Sequence, residues 1–235
     1  MNCIFLRRGY PEIDKGPDYS DNFADNDWAT IIAVCQAGLI PDSWKVGDQK
    51  AMTINGTSYP IDIIGIQHDD YSDGSGKAPF TFQMHNIYGT STYTMHSSNT
   101  NSVSWDGCNM RNNQLPAILA KMPSEIQEGI KVVNKLTSAG SKSATIKTTA
   151  DKLFLLSEIE VFGSATNSKS GEGSRYAYYS NGGSRKKTIS NGAQAWWLRS
   201  PRAIDSESFC VVTNSGGIND SYAGWAIYLS FAFCF

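Results

Sequence analysis

Residues 196–235 interleave two kinds of position, and this pattern constrains the fold more than any other part of the sequence. The positions typical of a packed core are Phe209, Val212, Gly216, Ala223, Leu229, Phe231, Phe233 and Phe235. The alternation at the end of this run has a period of two, which predicts a buried strand. The other positions mix side chains of unrelated chemistry with no strand or helix period. A backbone held by core residues beneath such side chains indicates a binding surface, since binding residues concentrate on loops above rigid scaffolds.

We take the intervening residues as a candidate ligand-binding surface and refer to residues 202–228 as the variable segment. Within it, Tyr222 and Trp225 are large, stiff side chains that offer much contact area at little cost in conformational entropy. The complete candidate set is Arg202, Ile204, Asp205, Glu207, Ser208, Val211, Thr213, Asn214, Ser215, Ile218, Asn219, Asp220, Ser221, Tyr222, Gly224, Trp225 and Tyr228.

The residues just before the variable segment are expected to support it. Trp196 and Trp197 are neighbours, and neighbouring strand residues point to opposite faces, so we expect one in the core and one half-buried. A ligand platform built from the two indoles is the alternative. Arg199 is expected to donate hydrogen bonds to carbonyl groups of nearby loops and so to hold the backbone of the variable segment.

The same tail resembles a known family. WWLRSP at residues 196–201, the spacing Phe209-Cys210-x-Val212-x-x-x-Gly216 and the terminal LSFAFCF are similar to the variable segment of proteins diversified by retroelements. Those are gut-bacterial and phage proteins with a C-type lectin fold. Upstream, DWATIIAVCQAGLIPDSWKVGDQK, IIGIQHDDY, SWDGCNMRNNQLPAIL, IKVVNKLT and DKLFLLSEIEVFG follow the order found in a widespread bacterial domain family without a functional name. The resemblance covers most of residues 20–235 and departs at Trp225, Ala226 and Tyr228, where the family more often has small or polar residues.

The resemblance implies a C-type lectin-like α+β fold, in which two helices flank small antiparallel sheets joined by long ordered loops. It implies a non-catalytic protein of ligand binding or receptor recognition. Its C-terminal surface would be rewritten by adenine-directed mutagenic reverse transcription of Asn codons in a template. The implied partner is an unknown ligand, a protein or a cell-surface molecule, and the implied place of action is a phage particle or a cell surface in the gut microbiome.

Codon arithmetic is consistent with such an origin. An AAC or AAT codon mutated only at its adenines keeps a pyrimidine in third place, so it cannot become Lys, Gln, Glu, Met or Trp. The variable segment contains no Lys, Gln or Met, whereas residues 172–201 contain both Lys and Gln. Glu207 and Trp225 are exceptions and are expected to derive from other template codons.

The remaining sequence predicts one domain with a sizeable core. Prolines and many polar residues predict an N-terminal lead-in over residues 1–20, and the domain itself is expected over residues 21–235. Apolar residues at helical spacing predict one helix over residues 28–35 and a second over residues 112–122. Residues 164–193 are poor in aliphatic side chains and predict a long surface excursion.

Shorter signals predict the strands and a further helical turn. Asn55-Gly56 between two β-prone runs is a strong hairpin signal. Residues 130–136 and 153–156 are expected to be strands, and residues 157–162 a short helical turn ending at Gly163. Two helices with short antiparallel strands make an α+β arrangement independently of the resemblance.

Charge and hydropathy argue against two classes of partner. The net charge is −2 and no basic stripe is present, so nucleic acid is not the expected partner. No apolar run approaches the length of a membrane span, so membrane insertion is not expected. The apolar stretch at the start of the sequence is too short for a signal peptide, which predicts synthesis in the cytoplasm.

The five cysteines are Cys3, Cys35, Cys108, Cys210 and Cys234. Their odd number and the lack of a CxxC motif favour buried thiols over a metal ribbon or a disulfide framework. A Cys210–Cys234 bridge in an oxidising setting stays open as an alternative. An enzyme of the formylglycine-generating type, which works through cysteines, is the rival function, although we expect no enzyme. An undiversified structural domain of a phage particle is a third possibility.

Two groups of acidic residues are candidates for chemical sites. Carboxylates at Asp69, Asp70 and Asp73 beside His68 could bind calcium, but the spacing lacks the full calcium-loop pattern, and hydrogen bonds from His68 and Asp70 to backbone groups are the alternative. No cofactor is therefore expected. Glu158 and Glu160 are expected to be solvated at a helix end rather than to act as an acid pair.

Overall fold

A computed structural model describes residues 16–235 of the chain, so most of the predicted lead-in, and Cys3 with it, lies outside the described residues. The fold is mixed α and β, with small antiparallel sheets and few helices, as predicted. The helices are α1 (Trp28–Gln36), α2 (Ser104–Gly107), α3 (Leu115–Leu119), α4 (Ser124–Gly129), α5 (Glu158–Phe162) and α6 (Ala177–Ser180), with a 3₁₀ turn at Phe23–Asp25 and a π-helical turn at Met110–Gln114. The strands are β1 (Gln49–Ile54), β2 (Thr57–Ile66), β3 (Phe80–Met84), β4 (Val133–Ser138), β5 (Ile146–Asp151), β6 (Leu153–Phe154), β7 (Lys187–Ile189), β8 (Gly192–Gln194), β9 (Trp196–Pro201), β10 (Ser208–Val212), β11 (Ile218–Tyr222) and β12 (Ala232–Cys234).

The larger sheet has the order β1-β2-β3-β12-β6, and every pair in it is antiparallel. The predicted hairpin is confirmed, because β1 and β2 meet at a turn in which Asn55 and Gly56 both have positive φ. The terminal strand β12 lies inside this sheet between β3 and β6, and residues 229–235 are all buried. The period-two prediction therefore identified one buried face of β12, and its other face is buried as well.

The first predicted helix is confirmed, and the second is helical but begins as a π-helical turn and ends at Leu119. Helix α1 begins after Asp27, whose carboxylate accepts the Thr30 N–H at 2.7 Å, and the ring of Trp28 packs edge-on to Phe82 and Phe235. The segment predicted as one helix over 112–122 is divided between the π-helical turn and α3.

Helix α5 forms where the sequence predicted a helical turn. Ser157 and Glu160 make a reciprocal capping box at its start, and Gly163 ends it with a φ of 81°. The expectation that the two glutamates are solvated is wrong, since Glu158 and Glu160 are both buried. Glu158 accepts backbone N–H groups of residues 166–168 at 2.6–3.0 Å, which satisfies its carboxylate without solvent.

Most residues of the segment 164–193 are exposed or half-buried, as its composition predicted, but the segment is anchored by buried side chains. Tyr176, Tyr179, Glu172 and Lys187 are all buried in it. The Tyr179 hydroxyl donates to the side-chain oxygen of Gln83 at 2.6 Å, which ties the segment to the larger sheet. Tyrosines and lone charged residues are weak core signals in a sequence because each is usually half-exposed.

Candidate ligand-binding surface

The base of the candidate surface is a second antiparallel sheet with the order β11-β10-β9. Every residue of β9 and β10 is buried. Trp196 and Trp197 are both fully buried, so neither is the half-buried partner that the sequence predicted, and they form no ligand platform. Their indole N–H groups donate to main-chain carbonyls, Trp196 to Arg185 at 3.0 Å and Trp197 to Tyr93 at 2.7 Å. The base of the surface is therefore rigid and its polar groups are satisfied.

Arg199 anchors β9 to the rest of the fold. Its guanidinium donates to the carbonyl oxygens of Leu136 at 3.0 Å and Leu155 at 2.9 Å, which confirms the predicted carbonyl bonds. It also donates to Glu160 at 2.8 Å, and Lys135 pairs with the same carboxylate at 2.7 Å. Burial alone would raise the pKa of Glu160, but the two cations hold it below its ordinary value. The carboxylate therefore stays ionised in the interior.

The loop that follows β9 is held by its own charged side chains. One oxygen of Asp205 accepts the backbone N–H groups of Glu207 and Ser208, each at 2.9 Å. The Arg202 guanidinium bridges Asp205 at 3.0 Å and Asp220 at 3.2 Å. Arg202, Asp205 and Asp220 were predicted as loose contact residues, but they are half-buried and bound to one another. Their first role is to shape the loop.

A residue that sequence reasoning missed completes this loop. Asn101 is fully buried, and its side-chain amide donates to the carbonyl oxygens of Arg202 at 3.3 Å, Asp205 at 3.2 Å and Ser208 at 2.9 Å. A Cβ added to Gly140 would lie 1.8 Å from the Asn101 carbonyl oxygen, so a side chain at residue 140 would displace this clamp. Asn101 sits in a stretch rich in Ser, Thr and Asn, where no local pattern distinguishes it.

The candidate residues differ widely in exposure. Ser208 and Val211 were predicted as contact residues but are buried, because β10 is the central strand of the sheet and is covered on both faces. The half-buried candidates are Arg202, Asp205, Thr213, Ile218, Asp220, Ser221, Gly224 and Tyr228. The exposed candidates are Ile204, Glu207, Asn214, Ser215, Asn219, Tyr222 and Trp225.

Two aromatic side chains dominate the exposed set. Tyr222 is 40% exposed and Trp225 is 57% exposed, and their rings meet edge to face with centroids 5.2 Å apart. The turn that carries them is fixed by a bond from the Trp225 N–H to the Tyr222 carbonyl at 2.9 Å. The Asn99 side chain accepts the Gly224 N–H at 3.0 Å. Ile204 on the neighbouring loop is 70% exposed, so apolar and aromatic surface is offered to solvent from an ordered backbone.

The exposed candidates do not all lie on one face of the sheet. Residues 218–222, expected to be loose, form strand β11, in which successive side chains point to opposite faces. Asn219 and Ser221 therefore share one face, while Asp220 and Tyr222 share the other. The turn between β10 and β11 is built by Gly216, with a φ of 86° that favours glycine.

The residues of the candidate calcium site are bound by other groups of the protein instead of converging on one point. The buried Asp69 carboxylate accepts from Lys135 at 2.6 Å and from Tyr176 at 2.8 Å, and Asp70 pairs with Lys77 at 2.9 Å. The ring of His68 stacks on Tyr176 with centroids 3.9 Å apart, in place of the predicted backbone bond. Among residues 16–235, no group of three or more His, Cys, Asp or Glu side chains is placed to hold a metal ion.

The described cysteines are buried free thiols, as expected. Cys210 and Cys234 form no bridge and lie on strands of different sheets. Burial raises the pKa of both thiols well above the ordinary value, so neither is a ready nucleophile.

Comparison with known proteins places this surface inside a family. Residues 81–227 match a family described as a domain of unknown function (DUF6273). The chain belongs to the DUF6273 family. No curated protein and no solved structure matches the chain. The DUF6273 match begins in β3 and ends just after the aromatic turn, so it contains the sheet of β9–β11, Asn101 and nearly all of the variable segment.

One further property concerns the described helices as a whole. None of the helices within residues 16–235 combines the length and the apolar character needed to cross a membrane.

Proposed function

We propose that this DUF6273 protein is a non-catalytic binding protein that recognises its ligand through the variable segment. The observation that carries the proposal is the exposed pair Tyr222 and Trp225, which with exposed Ile204 adjoins a sheet whose strands β9 and β10 are wholly buried. Exposed aromatic and apolar side chains on an ordered backbone are characteristic of interaction sites. The ligand in this proposal is a protein or a cell-surface molecule.

The finer parts of the proposal rest on the resemblance described above. The fold is proposed to be C-type lectin-like, and the variable segment to be diversified by a retroelement of a phage or a gut bacterium. The amino-acid composition of residues 202–228 supports this, since it lacks Lys, Gln and Met. The mixture of shaping residues and exposed residues also supports it, because changes at Asn219 or Tyr222 leave the clamp of Asn101 in place.

The nucleotide sequence around the variable segment tests the diversification. We expect a neighbouring reverse-transcriptase gene and a near-copy of the segment whose mismatches fall at adenines of the template. If many related genomes that carry this segment have neither the reverse-transcriptase gene nor the near-copy, diversification is contradicted. The protein would then be an undiversified domain.

Adsorption to cells tests the binding. Purified protein is applied to a panel of gut-bacterial cells, and the retained fraction is compared with that of a variant carrying Tyr222→Ser and Trp225→Ser. Removing central aromatic contacts should weaken binding by about 2 kcal/mol or more, a loss of roughly thirtyfold. Tyr19→Ser is the matched control, since Tyr19 is 41% exposed but lies outside the variable segment. Equal retention of all three proteins would contradict a ligand site at Tyr222 and Trp225.

A further inference from the structure

Strand β11 has one open side. In the order β11-β10-β9 it pairs with β10 alone, and within the described residues no strand pairs with its other side. Its residues are exposed or half-buried along the whole strand. A strand at the edge of a sheet presents unpaired N–H and C=O groups, which form a template for another strand.

The hydrogen bonds at the two ends of the β10–β11 pair fix which groups point outward. The Thr213 N–H donates to the Gly217 carbonyl at 2.8 Å, and the Ala223 N–H donates to the Glu207 carbonyl at 2.9 Å. Directly opposed residues in an antiparallel pair alternate between hydrogen-bonded and non-hydrogen-bonded positions. The bonded positions therefore fall on the odd-numbered residues of β11.

The register then assigns each residue of β11. Asn219 and Ser221 use their main-chain groups to bond β10. The N–H groups of Ile218, Asp220 and Tyr222 point away from β10, and so do the carbonyl groups of Ile218 and Asp220. Within residues 16–235 no other backbone group pairs with these donors and acceptors. The Tyr222 carbonyl is already bonded by the turn.

Around Asp220 and the Tyr222 end of this edge the side chains carry excess negative charge, whereas Arg185 and Lys186 lie at the other end, beside Gly216. Arg202 is the single cation bound to Asp205 and Asp220, at 3.0 and 3.2 Å. Glu207 is exposed at the same end of the sheet and has no ion-pair partner among the described residues. Three carboxylates against one guanidinium favour an incoming strand that carries a positive charge.

The same charges argue against a second copy of the chain at this edge. Antiparallel pairing of β11 with itself along its full length would place Asp220, the central residue, opposite Asp220 of the other copy. Like charges directly opposite one another destabilise a strand pair. A segment with Lys or Arg at that position would instead form a favourable cross-strand pair.

We propose that β11 binds an extended segment of a partner protein as an added strand, with a Lys or Arg of that segment opposite Asp220. The inference rests on the proposed function and names its ligand as a polypeptide. The main-chain groups of β11 are the same in every variant of the segment, so they supply affinity that does not depend on its sequence. The side chains of Asn219 and Ser221 on one face, and of Tyr222 on the other, select alternate side chains of the bound strand.

Panning of short random-sequence peptides against the full-length protein tests this inference. Recovered peptides should share a Lys or Arg within an extended pattern. At a peptide concentration of about 100 times Kd, amide hydrogen exchange of Ile218, Asp220 and Tyr222 should slow about 100-fold, because only the free protein exchanges. Peptides that bind through side chains alone leave these three amides unprotected, and that result, or recovery of no peptide at all, would overturn the inference.

A pair of variants at one residue separates main chain from side chain. Asp220→Pro removes the outward N–H and leaves the bonds to β10 intact, since proline is tolerated at solvent-facing positions of edge strands. Asp220→Asn keeps the N–H and removes the charge. Asp220→Pro should bind the recovered peptide up to about tenfold more weakly than Asp220→Asn. If Asp220→Pro does not fold, the amide-exchange measurement on the unmodified protein is sufficient by itself to test strand addition.

The outcomes also separate this inference from the proposed function. Suppose that changing Tyr222 and Trp225 abolishes cell adsorption, but peptide does not protect the β11 amides. The proposed function is then supported and strand addition is contradicted. The opposite outcome is protection of the β11 amides by peptide, together with unchanged cell adsorption of the Tyr222→Ser, Trp225→Ser variant. That outcome would support strand addition and contradict the aromatic pair as the ligand site.

Discussion

Replacing Arg199 with alanine should destabilise the protein more than any exposed change in the variable segment. The side chain is fully buried, and its removal strands the carbonyl oxygens of Leu136 and Leu155 and takes one cation from Glu160. Removing one partner of a buried ion pair costs about 3–5 kcal/mol. The lower part of that range is expected because Lys135 stays on Glu160 at 2.7 Å.

Urea unfolding followed by circular dichroism measures this loss, and a thermal melt gives an independent value. For a chain of this size, each kcal/mol corresponds to roughly 2–4 °C in Tm, so the expected drop is at least about 6 °C. Arg202→Ala is the matched control, since Arg202 is likewise an ion-paired arginine, bound to Asp205 and Asp220, but its side chain is 31% exposed. Exposed pairs contribute about 0–1 kcal/mol.

The pH dependence provides a second check on the same pair. Because the folded pKa of Glu160 lies below its ordinary value, its pairing stabilises the protein above about pH 4.3 and the contribution is lost as pH falls through the folded pKa. The difference in free energy of unfolding between the unmodified protein and Arg199→Ala should therefore become smaller in acid. The role assigned to Arg199 is refuted if Arg199→Ala lowers the free energy of unfolding at pH 7 by less than about 1 kcal/mol. It is also refuted if Arg199→Ala destabilises the protein no more than Arg202→Ala does.

Three further changes test other parts of the structure. Phe233→Ala should lower the free energy of unfolding by about 3–5 kcal/mol, because the ring is fully buried in an interior strand, and urea titration measures it. Tyr222→Ser should change the free energy of unfolding by no more than about 0.5 kcal/mol. Asp205→Ala should lower it by about 1–2 kcal/mol, because two backbone N–H groups lose their acceptor. Thermal melts in which Tyr222→Ser is the more destabilising change would contradict the assigned roles. Burial lowers the pKa of Lys187 to about 7, so above that pH the folded chain holds this amine neutral while the unfolded chain holds it protonated. The free energy of unfolding should therefore rise from about pH 7 to 9. Unfolding of Lys187→Met across this range should show no such rise.

Features set by neighbouring residues could be predicted from the sequence. The apolar helical pattern over residues 28–35, Asn55-Gly56 between β-prone runs and Gly163 after residues 157–162 each placed an element correctly. These signals succeed because the groups that interact lie within a few residues of one another. The terminal strand was found for the same reason, since its alternation is contained within a single element.

The polar interior could not be predicted because its partners are distant in the sequence. The sequence predicts an exposed helix-end position for Glu160, but Lys135 and Arg199 pair with it from outside its own helix. Strand β11 escaped prediction because its side chains are polar or half-exposed on both faces, which hides a period of two. Tyr222 was correctly placed at the surface, since an isolated aromatic among small polar residues has no core pattern to join.

The clamp made by Asn101 does not depend on which side chains it supports. The amide contacts carbonyl oxygens, at residues 202, 205 and 208, and every amino acid brings such an oxygen to its position. This part of the loop geometry is therefore encoded about a hundred positions upstream, apart from the part that Arg202 and Asp205 set within the segment. Exposed positions of the loop, such as Ile204 and Glu207, can therefore be replaced while this part of its fold is inherited unchanged.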